Sequence, residues 1–125
     1  MTNQRIAHDR ALRRHADIKQ YIQAMRQHLS DRTIDQVRED LPARAAFERF
    51  LEIVSEASRA VPDSWKAEHA DIPWRRVADI GNLLRHGYRQ VALEPLWEIY
   101  ARDLDPLERA VDAMLAAHPP MEESL

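Results

Sequence analysis

The chain has 125 residues, 45% of them hydrophobic and 31% charged, with a formal net charge of −3 and no cysteine. That length and balance fit one globular domain, and the missing thiols exclude disulfides, thiolate metal sites and a cysteine nucleophile. Two glycines against seven prolines also exclude phosphate-cradling glycine loops and tight hairpins.

Read in chain order, the elements are all helical. Ala11, His15, Ile18, Ile22, Met25 and Leu29 recur three and four apart, with no proline or glycine between them, and predict a long amphipathic helix over residues 4–29. Ser30 and Asp31 end it, and Thr33 suits the N-cap of a short helix over 34–39. Pro42 fits the first turn of a further helix whose apolar face is Phe47, Phe50, Leu51, Val54 and Val61, with Pro62 as its stop. Asp63 and Ser64 are placed to cap a single turn through about residue 69. Asp71-Ile72-Pro73-Trp74 opens a helix that runs to about His86, and Gly87-Tyr88-Arg89-Gln90 reads as a turn. Gly87 suits a left-handed residue closing that helix. Leu93, Leu96, Trp97 and Tyr100 give an inward face to a helix over 92–103, and Asp105-Pro106 reads as the capping signal of a separate last helix over 106–117.

The expected fold is therefore all-α, an up-and-down bundle of four main helices plus short ones. Residues 1–118 are expected to form one helical domain and 119–125 an acidic tail. The opening Met-Thr-Asn-Gln-Arg has no apolar signal core, and no run is apolar enough to cross a bilayer. The expectation is a cytoplasmic protein that does not associate with membranes.

The six histidines show no metal-ligand spacing, so neither a metal nor a cofactor is expected. Glu52 and Glu56 lie one turn apart and read as a solvated helix face rather than an acid–base pair. Charge is uneven along the chain, and Arg75, Arg76, Arg85 and Arg89 against Asp79 make residues 72–90 locally basic. All of the 18 basic residues except Lys19 and Lys66 are arginine, a residue that forks onto phosphate. On a helix, Arg75, Asp79, Asn82 and His86 fall on one polar stripe, opposite Val77, Ile80 and Leu84. Asparagine and histidine are poor choices where solubility is the sole demand, because they are neutral hydrogen-bonding groups that do not favour helix.

The segment from Ile72 to Tyr88 resembles the signature of the HEPN superfamily, and of its HepT-type toxins in particular. That motif is Arg, Asn, three residues, His, one residue, Tyr, and Asn82, His86 and Tyr88 match it. Ile72-Pro73-Trp74-Arg75, Trp97-Glu98 and the stretch Leu51–Ala57 resemble further parts of the family pattern, so the likeness spans about residues 10–115. The resemblance implies a metal-independent ribonuclease cutting tRNA or mRNA. The RNA 2′-hydroxyl attacks the adjacent phosphorus, with His86 as acid–base group and Asn82 as supporting hydrogen bonder. It also implies a homodimer with both motifs in one cleft. Motif residues five apart diverge by about 140° on an ideal helix, so a helix end or a two-fold axis must help to bring them together. The implied partner is a cognate nucleotidyltransferase antitoxin that transfers AMP to Tyr88.

One motif position departs from the pattern. Gly81 stands where the family has arginine, and nothing in this helix, read alone, asks for glycine there. Arg85, one turn on and about 40° away in direction, is the candidate substitute cation. The departure implies a weakened nuclease. It leaves open a non-catalytic HEPN-type binding subunit that docks a nucleotidyltransferase, or a plain helical interaction module.

Overall fold

The computed structural model describes residues 2–87 and 92–121, and among them it is built from seven α-helices and one π-helical turn. Helix α1, Asn3–Leu29, starts where the Thr2 hydroxyl accepts the Arg5 N–H. It buries Ala11, His15, Ile18, Ile22, Met25 and Leu29, the whole stripe that the spacing predicts. It ends at Ser30, which takes φ 47° and donates its N–H to the Arg26 carbonyl. Helix α2, Ile34–Glu39, opens with a reciprocal box in which Gln36 N–H donates to Thr33 and Thr33 N–H to the Gln36 side chain. Helix α3, Leu41–Arg59, is capped by Asp40, and Pro42 lies in its first turn, where its missing N–H costs nothing. The Ala43 N–H, aided by Arg32, holds the Asp40 carboxyl below the usual carboxylate range.

Helix α4, Asp63–Ala67, carries the buried Trp65. The expected Asp63–Ser64 cap does not form; the Pro62 carbonyl instead accepts the Trp65 and Lys66 N–H groups, each at 3.0 Å. Helix α5, Trp74–His86, begins directly after Pro73. Its end differs from the expectation: Gly87 has φ −83° and ψ −9°, right-handed, and its N–H still reaches the Leu83 carbonyl. The expected turn continues through Tyr88, Arg89 and Gln90, which lie outside the described residues.

The last two predicted helices are one. Helix α6, Leu93–Glu98, passes through the π turn Ile99–Asp103 into α7, Leu104–Ala117. Asp105 therefore caps nothing, because the backbone reaches it already helical; Asp103 and Leu104 keep helical dihedrals and the Leu104 N–H donates to the Ile99 carbonyl. Pro106 cannot donate, and its ring would crowd the Arg102 carbonyl in a tight α turn. The wider π turn just before it gives that ring room.

Helix α3 packs against both α1 and α5, and α7 closes on α1. Phe47 sits at the centre, edge-on to Trp97 and Tyr100 with ring centroids 5.8 and 5.7 Å away. Arg26 of α1 holds Glu108 and Asp105, and Lys19 holds Asp112 at 2.8 Å, so α1 is tied to α7 along its length. At one end, Trp65 stacks on His118 at 3.9 Å and meets the edges of His8 and His15.

His15 is fully buried in that cluster. Its Nδ1 donates to the Ala11 carbonyl at 2.6 Å, and its Nε2 lies 3.2 Å from Met114 Sδ. Burial lowers its pKa from the ordinary 6.5, the Ala11 bond opposes that, and His118 lowers it further. The folded state thus resists a proton that the unfolded chain accepts. This contribution to stability is complete above pH 6.5 and is lost as pH falls toward the lowered folded value. Thermal melts between about pH 8 and pH 5 should show the melting temperature falling with acidity, and His15→Leu should flatten that slope. An unaltered slope in the variant would remove His15 as its source.

Candidate functional site

Helix α5 has two faces set by its sequence period. Val77, Ile80 and Gly81 are buried against α3, and Leu84 is half-buried on the core. Arg75, Asp79, Asn82 and His86 are exposed along the opposite stripe, as their spacing requires. Between these stripes Leu83 is 46% exposed, an apolar side chain left on a polar surface. A shallow groove of about 840 Å³ runs along this face, lined by Arg75, Arg76, Asp79, Asn82, Leu83 and His86. Arg76 is fixed there by Asp103, a nearly buried carboxylate of the π turn, at 2.6 Å.

The sequence candidates Asn82 and His86 therefore share one groove. His86 makes no hydrogen bond among the described residues and is open to a ligand. Arg85 points to the edge of the same face: its guanidinium donates to the Asn82 side-chain oxygen and to the Glu56 carboxylate of α3. The candidate substitute cation is thus brought to Asn82 by a hydrogen bond, and it carries a carboxylate with it. Tyr88 lies outside the described residues.

Gly81 has a structural reason, contrary to the reading of its helix alone. The Gly81 N–H donates to Ser55 Oγ at 2.9 Å, and the same hydroxyl donates to the Ala78 carbonyl at 3.1 Å. A Cβ at position 81 would lie 2.5 Å from Ser55 Oγ and 3.1 Å from Ser55 Cβ. A side chain at 81, whether alanine or arginine, would therefore require Ser55 to give way or the helices to shift.

Three residues of α3 complete the arrangement. Ser55 is fully buried and spaces α3 from α5. Glu56 is exposed, in keeping with its reading as part of a solvated face, and holds Arg85. Arg59 donates to the Ala78 carbonyl at 3.0 Å and lies 3.9 Å from Glu56. The available signal was Ser55 itself, a hydroxyl in register with the apolar stripe of Leu51 and Val54.

The family described as Ribonuclease HepT-like matches residues 18–114 of this chain. The chain is similar to a candidate RNase of Caldanaerobacter subterraneus, 33% identical over 70 residues that make up 56% of this chain and 62% of that protein. It is similar to a candidate ribonuclease HepT of Thermococcus cleftensis, 36% identical over 55% of this chain and 63% of that one. A candidate RNase of Methanocaldococcus jannaschii is 30% identical over the same shares, 55% and 63%. The matched part spans less than two thirds of each of these relatives. No solved structure matches the chain.

Gly81→Ala should destabilise the protein by about 1–3 kcal/mol through overpacking, despite the roughly 1 kcal/mol that alanine gains over glycine in a helix. In a Ser55→Gly background the same change should become neutral or favourable. A double-mutant cycle by chemical denaturation reads the coupling directly, and additive effects would show that the two residues do not compete for one space.

Proposed function

Because the chain belongs to the Ribonuclease HepT-like family, we propose that it is a metal-independent RNA endonuclease of the HEPN kind, the toxin of a toxin–antitoxin pair. The observation that carries this reading is that Asn82 and His86 line one groove of α5 while Arg85, at its edge, donates to Asn82. His86 is the acid–base group that moves a proton between the RNA 2′-hydroxyl and the leaving 5′-oxygen. Arg85 takes the place of the missing motif arginine and steadies charge on the phosphorane, and Asn82 orients it. Glu56 neutralises part of that charge in the resting protein, so the rate is low for the class. The groove is shallow and open, which suits a second copy of the chain closing over it to make a shared cleft. Control is by a nucleotidyltransferase antitoxin that places AMP on Tyr88, two residues beyond His86, where a bulky anion would block RNA entry.

A second reading has one observation in its favour. The position of the motif arginine is closed by Ser55, and the nearby Arg85 is already paired with Glu56. Such a chain could serve as a non-catalytic subunit that docks a nucleotidyltransferase.

Single-turnover cleavage of a short RNA decides between them. The nuclease reading expects a 2′,3′-cyclic phosphate product in the presence of EDTA, a loss of about 10²-fold or more in His86→Ala, and a loss of about 10²–10³-fold in Arg85→Ala. Absence of cleavage by the wild-type chain, together with AMP found on Tyr88 by mass spectrometry after co-expression with the partner, would establish the docking subunit. Cleavage unaffected by Arg85→Ala would move the phosphate-binding role to another residue.

A further inference from the structure

A second concavity, of about 530 Å³, lies between α1 and α3 and reaches the C-terminal end of α5. Five arginines line it: Arg10 and Arg14 from α1, Arg49 and Arg59 from α3, and Arg85 from α5. Three carboxylates, Asp17, Glu52 and Glu56, share the walls. They are spoken for by Arg14 at 3.4 Å, by Arg49 at 2.9 Å, and by Arg59 and Arg85 together. Arg10 makes no ion pair among the described residues, and the cleft keeps a positive excess in a chain whose net charge is −3. Its floor is formed by small or apolar residues, Ile53, Ala57 and Ala60, which let a backbone approach closely.

The spacing along the helices makes this a track rather than a point site. Arg10, Arg14 and Asp17 repeat one face of α1, and from Arg49 to Ala60 the α3 wall runs about 16 Å at 1.5 Å per residue. That length accommodates a few successive phosphates. Arg85 lines the cleft and not the groove of His86, but it links the two by donating to Asn82, which lines that groove.

We propose that the arginine-lined cleft between α1 and α3 binds the phosphodiester backbone of RNA and delivers it, past Arg85, to the groove that holds Asn82 and His86. The assignment rests on the reading of this chain as an RNA-acting protein, and extends it to a binding surface formed mainly by α1 and α3, away from Asn82 and His86. Arginine suits the role, because it forks onto phosphate oxygens and exchanges a carboxylate for a phosphate without losing its charge. Glu52 and Glu56 keep the empty cleft from holding single small anions tightly, whereas a polyanion can displace both pairs at once.

The test is fluorescence anisotropy with a labelled 2′-O-methyl single-stranded RNA, which binds but cannot be cut through its 2′-oxygen. Arg10→Glu/Arg49→Glu is expected to lower affinity at least about tenfold and to reduce the slope of log affinity against log salt by about 0.7 for each phosphate no longer neutralised. Arg10→Gln/Arg49→Gln, a gentler change with folding checked by thermal melting, should show the same slope change with a smaller loss. Arg109→Gln, on α7 and outside the cleft, should bind as wild type does. Cleft variants with unchanged affinity and salt slope overturn the proposal, and so does a wild-type chain that does not bind RNA. Cleavage of unmodified RNA is read separately in wild type and His86→Ala. If binding depends on the cleft while nothing is cut, the cleft stands and the nuclease reading falls. If cutting depends on His86 while binding ignores the cleft, the reverse holds.

Discussion

The hydroxyl of Ser55 and the backbone amide of Gly81 meet between α3 and α5, and the rest of the site is arranged around that contact. A single small oxygen spaces the helices, accepting from one residue of α5 and donating to the Ala78 carbonyl one turn earlier. A Cβ at 81 would meet that oxygen at 2.5 Å, so a side chain there would require Ser55 to give way. The contact also sets the distance at which Glu56 and Arg59, further along α3, address α5. One helical turn beyond 81, Arg85 reaches Asn82 and is held by a carboxylate from the neighbouring helix.

Charge and apolar packing divide the labour in this molecule. The long stripe of α1 and the aromatic centre around Phe47 supply burial, which is the main favourable term in folding. The ion pairs lie on its outside, and exposed pairs of this kind contribute little to stability, about 0–1 kcal/mol each. Their value is positional. Lys19 and Arg26 align α1 with α7, and Glu56 aligns Arg85 with Asn82.

What could be read from the sequence was what depends on near neighbours. The six buried positions of α1 follow from a period of 3.6, and the Thr33 box from two residues three apart. The polar stripe of α5 was legible for the same reason, and with it the pairing of Asn82 and His86. The misreadings share a different cause. Asp105 has the chemistry of a cap, but the chain arrives there already helical and Arg26, far away in sequence, takes its carboxylate. Gly87 is free to turn left-handed and does not. Gly81 looked unmotivated because its reason, Ser55, belongs to another helix. No local rule reports a distance between helices, so a motif compared letter by letter does not show what Gly81 meets across the helix pair.

The π turn at Ile99–Asp103 is the one interval between Leu93 and Ala117 where the described helix departs from α geometry. Asp103, the last residue of that turn, is nearly buried and holds Arg76. Arg76 in turn lines the groove of His86. The wall of the groove is thus anchored, through one ion pair, to the irregular turn of the C-terminal helix.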